Sequence, residues 1–452
     1  MQSTITYIDF LLLPLYLGLF YLLVKNRASK ILDPEMRRIY YTAFALRMAG
    51  SVLYSLVVVF YYGYGDSYTY YNGSTFLVNQ LKSNFSNISF YFAPIKDFQQ
   101  WYTLNDGSDI GLTGHTGNEA AALVMKITSL TAFLSFNRFM LMGLFFGVFS
   151  FLGQWKLFQV FDYSNKGYFR KLMAIAILYT PSIWFWGSGI LKDSLCLGGA
   201  GFIIYAVYST FEMRKISLRY LLLLPAMLYM VYVIKSYIVL ILLISFLVVF
   251  ISRNLLLIKN ILLRIVTITV FVIALLGIAS VLDFSNEINK LVEESYTQIQ
   301  SYSKNYEALQ AEDESSKAAV ELGNVDASLS SIILKSPEKI FTALYRPFLW
   351  ESKKLIIFFT SLESTLLLLA TLYLLIKSRF IGFFRICFSN GLIFFSLTVS
   401  ILFALIIGFT TFNFGTMIRY KIILLPFYYF MLVAVFTKIQ EKQAAMAGIP
   451  QS

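Results

Sequence analysis

Apolar runs about twenty residues long, separated by short polar stretches, fill most of the chain. A helix rises about 1.5 Å per residue and satisfies its own backbone hydrogen bonds, so each run can span about 30 Å of hydrocarbon. The pattern predicts an all-α polytopic transmembrane helix bundle of about eleven spans. They fall near 8–24, 40–62, 138–160, 171–188, 192–210, 218–234, 236–252, 262–282, 355–376, 388–410 and 418–437. Two long polar stretches interrupt this single integral-membrane domain, 63–137 and 283–354. In the first, 120–135 is short and carries Lys126, which predicts an amphipathic helix lying on the membrane surface. The rest of that stretch, rich in Tyr, Asn, Gly and Asp, predicts an ordered, irregular cap. In the second, one or two charged helices are expected from Asn286, then a Ser/Ala/Glu-rich stretch around 308–330.

Composition agrees with a membrane chain. Of 452 residues, 58% are hydrophobic and only 14% charged, with mean hydropathy +0.68; soluble domains carry about 25% charged residues. No basic residue precedes the first run and no small-residue cleavage site follows it, so it reads as a permanent helix rather than a signal peptide. Cys196 and Cys387 lie in or beside apolar runs on opposite halves of the membrane, which argues against a disulfide framework.

The net charge of +12 suggests nucleic acid until its distribution is followed. Alternate connections hold 20 basic residues, from Lys25 and Arg27 through Arg170, Arg214 and Arg253 to Lys438, against five acidic ones. Basic residues near span ends mark the cytoplasmic side. The excess is therefore a topology signal, with contact to anionic lipid heads and no nucleic-acid partner. Both long loops fall on the other side, with the N-terminus outside and the C-terminus cytoplasmic. A bacterial cytoplasmic membrane is the expected location.

With this topology, unusual polar groups gather at the outer ends of spans. Asp66 follows an apolar run directly, in Gly63-Tyr-Gly-Asp-Ser-Tyr-Thr-Tyr-Tyr-Asn72. Arg138, Lys192, Asp193, Lys235, Arg346, Trp350, Glu351, Arg419 and Lys421 share its level. Charges this close to hydrocarbon are costly and tend to be functional. The bland alternative is that the cations snorkel and Trp and Tyr form an interfacial belt. Lys192 and Asp193 also fit a simple paired turn. Arg47, in the second span, is expected to snorkel or to form an ion pair. Glu363 fits a buried, hydrogen-bonded carboxylate or part of the cavity. His115, alone, defines no metal site, and the sequons at Asn72, Asn84 and Asn87 are weak patterns.

One chemistry uses an outward carboxylate, several fixed cations and an aromatic cap: transfer of a sugar from a lipid-linked phosphate. The tail stays in the bilayer and the phosphate lies at the interface. Lys and Arg bind the phosphate and stabilise the leaving group. A carboxylate accepts the proton of the acceptor hydroxyl. Asp66 is the expected base, with Lys192 and Asp193 beside it. Lys235, Arg346 and Arg419 are expected to converge with them on one outer cavity, Asp193 and Glu351 orienting the cations. Arg138, Trp350 and Lys421 complete the expected substrate contacts. No phosphate-binding glycine loop, and so no nucleotide site, is present.

The stretch Gly65-Asp66-Ser-Tyr-Thr-Tyr-Tyr after the second span resembles the GT-C superfamily of integral-membrane glycosyltransferases. The last third, with Arg346-Pro-Phe-Leu-Trp-Glu351 and Asn413-Phe-Gly-Thr-Met-Ile-Arg419-Tyr-Lys421, is similar to bacterial polysaccharide polymerases of the Wzy type. The likeness covers the overall plan and four short patches. It implies a glycosyltransferase or polymerase using an undecaprenyl-type lipid donor, with an acidic residue in the first outer loop for acceptor activation or metal binding. The second acidic residue common in GT-C enzymes has no motif here; Asp97, Asp106 and Asp109 are its candidates. No cofactor is expected, and a divalent metal is left open. Two other readings compete: a transporter or flippase of lipid-linked glycan, and a non-catalytic membrane subunit of an envelope secretion or motility machine.

Overall fold

The computed structural model describes residues 4–102, 119–213, 218–255, 269, 329–352, 355–411 and 414–446. His115, Asp106, Asp109, all of the expected span at 262–282 except residue 269, and the stretch 284–328 with its expected charged helices lie outside the described residues. The molecule is all-helical (88% helix). Seven described helices are long and apolar enough to cross a membrane: Tyr7–Ala28, Pro34–Tyr62, Phe139–Ser164, Ser236–Arg253, Ile357–Ser378, Gly391–Thr410 and Phe414–Met446. The chain divides into two compact units, Met1–Val239 and Leu240–Ser452.

In the first unit, α1 is Tyr7–Ala28 and α2 is Pro34–Val57, extended by a wider turn to Tyr62. Asp33 caps α2 by accepting from the Glu35 and Met36 N–H groups at 2.8 and 3.3 Å. Next come α3 (Asp66–Ser83), α4 (Ile95–Tyr102), α5 (Glu119–Leu134) and α6 (Phe139–Ser164). The polar stretch after the second span is thus largely helical where described. The side of α5 carrying Ala121, Val124, Met125 and Thr128 is buried, and Met125 lies against Gly73 of α3.

The run expected at 171–188 forms two short helices, α7 (Arg170–Leu178) and α8 (Pro181–Trp186). Pro181 explains the break, because it has no N–H to continue the ladder. Both pieces follow α2 from end to end. Arg170 pairs with Asp33, Tyr179 meets Thr42, Ile183 meets Arg47, Trp184 meets Gly50, and Phe185 and Trp186 pack on Tyr54. From Asp33 to Tyr54 is about 30 Å of helix, so the broken segment covers a membrane's thickness.

The helices α9 (Lys192–Phe211) and α10 (Leu218–Ile234) return down and up again. α9 runs parallel to α6, which it meets closely at Gly153, Gly198 and Gly201, as small residues allow. α10 runs antiparallel to α9, with Tyr205 against Tyr220 at one end and Lys235 against Asp193 at the other. Helix α11 (Ser236–Leu255) begins in the first unit and continues into the second.

The second unit contains α12 (Leu329–Tyr345), α13 (Leu355–Ser378), α14 (Phe380–Ser389), α15 (Gly391–Thr410) and α16 (Phe414–Met446). α13 and α16 run parallel: Lys421 meets Ser364, and Tyr428 meets Thr371. α15 packs on α16 through Phe395 and Phe427, and its Gly408 lies against the Lys339 backbone of α12.

Candidate functional site

One end of the first unit brings together Asp66, Lys192, Asp193 and Lys235. Asp66 is the first residue of α3 and is half-buried. The turn before it needs left-handed backbone at Gly63 (φ 70°) and Gly65 (φ 116°), which glycine adopts without a Cβ penalty. The next residue fixes the helix start: Ser67 Oγ donates to the Ile190 carbonyl at 3.0 Å, and Tyr54 Oη lies 2.8 Å from the same hydroxyl. Ile190 stands two residues before Lys192. The start of α3 is therefore tied to the start of α9.

Around that junction, Lys192 lies within electrostatic reach of Asp66, Asp193, Lys235 and Cys196. Asp193 is fully buried, and its Oδ1 accepts from Lys235 Nζ at 2.5 Å. Asp193 thus pairs with a lysine 42 residues away; the Lys192–Asp193 paired turn expected from sequence is not what forms. Among the described residues no side chain makes a direct ion pair with Lys192, whose ammonium stands half-buried at the first turn of α9.

Arg138 lies at the same end, beginning α6. It donates to Thr6 Oγ1 at 2.9 Å and stands 3.7 Å from the carboxylate of Asp9, so it fastens the start of α1. Asp9 is fully buried and escaped the sequence reading. Its signal was local: Asp9, three residues after Thr6, reaches back over the helix start, and its Oδ2 accepts from Thr6 N–H and Oγ1 at 2.9 and 3.0 Å.

Arg47 corrects an expectation. It is buried rather than snorkelling, and it forms no ion pair among the described residues. Its side chain is 1% exposed in the middle of the first unit. Its guanidinium donates to Gln154 Oε1, to Ser150 Oγ at 3.3 Å and to the Ile183 carbonyl at 3.1 Å. All three partners are neutral. Gln154 in turn donates from Nε2 to the Ile177 carbonyl at 2.6 Å.

The remaining expected residues belong to the second unit. Arg346 Nε donates to Glu351 Oε1 at 2.9 Å, and its guanidinium lies over the Phe414 ring, 5.3 Å from the centroid. Lys421 is 2% exposed and donates to the Arg346 carbonyl at 2.7 Å and to Ser364 Oγ at 3.3 Å, so it holds the Arg346 backbone. Glu363 lies within its electrostatic reach. Trp350 is 80% exposed and stacks on Phe348 at 4.8 Å. Arg419 is half-buried near the start of α16. Among the described residues no group of three or more His, Cys, Asp or Glu side chains is placed to hold a metal ion.

Compared with known proteins, the chain matches no family model, no curated sequence and no solved structure.

Proposed function

We propose that this protein transfers or polymerises sugars from a polyprenyl-phosphate-linked donor at the extracytoplasmic face of a bacterial cytoplasmic membrane. The observation that carries the reading is the junction of α3 and α9, where the Asp66 carboxylate lies within electrostatic reach of Lys192, beside the buried Asp193–Lys235 pair. Asp66 is the base for the acceptor hydroxyl. Its position at a helix start, half-buried, suits a group that must meet both water-borne acceptor and membrane-borne donor. Lys192, with no direct ion pair among the described residues, is the cation for the donor phosphate. Lys235 is paired with Asp193 beside them. GT-C enzymes and Wzy-type polymerases are the families of this chemistry that the sequence resembles. The same reading takes the chain as about eleven spans, N-terminus outside and C-terminus cytoplasmic.

Asp66→Asn keeps the shape and removes the base. A positioned base contributes about a hundred- to ten-thousand-fold in rate. Cells carrying this variant should lose long-chain glycan while the protein stays at normal abundance and still binds polyprenyl phosphate. Unchanged glycan at normal abundance removes Asp66 from the mechanism and takes the main support from the enzyme reading.

A further inference from the structure

We infer that Arg47 is a positioning residue for Lys192, acting from the middle of the first unit through the turn Gly187–Leu191. A charge so deep in a membrane protein is costly unless it is paired with a counter-charge or with backbone carbonyls, and it marks function. The Arg47 guanidinium bonds one backbone carbonyl and two neutral side chains, and its contacts with Ile183 and Ser188 fall on the segment that delivers Lys192.

Side chains hold two carbonyls of the turn, those of Gly189 and Ile190, and three of the helix before it. Arg47 Nη1 donates to the Ile183 carbonyl at 3.1 Å. Ser188 Oγ donates to the carbonyl of Arg47 itself at 3.2 Å, and also to that of Trp184. Ser194 Oγ donates to the carbonyls of Gly189 at 2.8 Å and Trp186 at 3.3 Å. Ser67 closes the set on Ile190. Arg47 therefore holds α8 by its guanidinium and the turn by its own backbone carbonyl. The guanidinium also lies so close under Gly187 that a Cβ there would overlap Nη1, which sets how deep the turn sits. Only a planar fork with five donors reaches Ser150 and Gln154 on α6 and Ile183 on α8 together; an ammonium is a compact point charge on a flexible stem.

The role of Lys192 toward a lipid phosphate rests on the proposed function, but its placement by Arg47 does not, so two measurements separate them. The first is pH-resolved amine labelling of the purified full-length protein in detergent, mapped by mass spectrometry. Arg47→Met should change the labelling rate of Lys192 severalfold, with Arg47→Lys restoring part of the native rate. The rates at Lys166 and Lys171, exposed at the opposite end of the unit, should not move. An unchanged Lys192, or a rise at all three lysines together, overturns the inference.

The second is binding of radiolabelled polyprenyl phosphate to the same variants. Groups acting through one another are non-additive. Arg47→Met should weaken binding in the native background and have no further effect once Lys192→Gln is present. Additive losses overturn the inference. A native protein that does not bind the lipid overturns the proposed function instead, and the labelling result still decides the role of Arg47.

Discussion

Gln154 joins Arg47 to Pro181: it accepts from the Arg47 guanidinium and donates to the Ile177 carbonyl, four residues before the proline. That carbonyl is the one a residue with an N–H at position 181 would have bonded in a continuous helix. The glutamine replaces the missing donor. In lipid no water does so, and irregular backbone at membrane depth survives only where protein satisfies it.

Gln154→Leu should therefore cost about 1–3 kcal/mol, the penalty of an orphaned buried carbonyl, with a further loss from the unmatched Arg47. Pro181→Ala returns an N–H opposite Ile177, and in that background Gln154→Leu should cost less. Thermal unfolding midpoints of the four proteins in detergent form the cycle. Strict additivity would refute the link between glutamine and proline.

Asp193 and Lys235 are a buried pair, so removing one partner takes from the other the opposite charge bonded to it. Asp193→Asn or Lys235→Met alone should destabilise the first unit by about 3–5 kcal/mol. The double variant Asp193→Leu with Lys235→Met should lose much less than the sum. Cellular abundance and unfolding midpoints report both. Single variants as stable as the parent would mean that the pair is solvated.

At the far end of the first unit, Asp33 caps α2 and pairs with Arg170. Slight burial raises its pKa, but the Met36 N–H, the bond and charge of Arg170 and the Glu35 N–H together hold its carboxyl below the usual carboxylate range. A carboxyl depressed in the folded state adds stability that is present above its unfolded value, about 3.9, and is lost as pH falls through the folded value. The side chain is 42% exposed, so solvent limits the effect to about 1 kcal/mol or less. Asp33→Asn should lower stability slightly at neutral pH and flatten its fall below pH about 4. Parallel acid limbs for parent and variant would exclude this contribution.

In the second unit, Lys421→Met keeps bulk but leaves the Arg346 carbonyl and Ser364 without their donor. The stretch around the exposed Trp350 should then open to chymotrypsin several times faster, while Arg346→Ala, which removes the contacts with Glu351 and the Phe414 ring but keeps the carbonyl that Lys421 holds, should have the smaller effect. Equal cleavage in parent and Lys421→Met would show that the ammonium does not hold this turn.

Periodicity and apolarity laid out the helices from the sequence alone, because a segment in lipid must satisfy its own backbone. The runs at 8–24, 40–62, 138–160, 355–376, 388–410 and 418–437 all fall on helices long enough to cross. Charge asymmetry put Asp66, Lys192 and Lys235 at one level, and in the first unit they occupy one end. Thr6 and Asp9 were legible too, as a local cap pattern, but passed unread. Partner choice was not legible. Sequence neighbours suggested Lys192 for Asp193, yet the antiparallel return of α10 brings Lys235 there instead. Arg47 resembled any arginine inside an apolar run. Its partners come from positions 150, 154 and 183, and only the packing of both α6 and the broken segment against α2 brings them to it. Local sequence sets helix and cap energies, which depend on residues three or four apart. Burial of a charge depends on which distant helices close around it, and that is decided by packing.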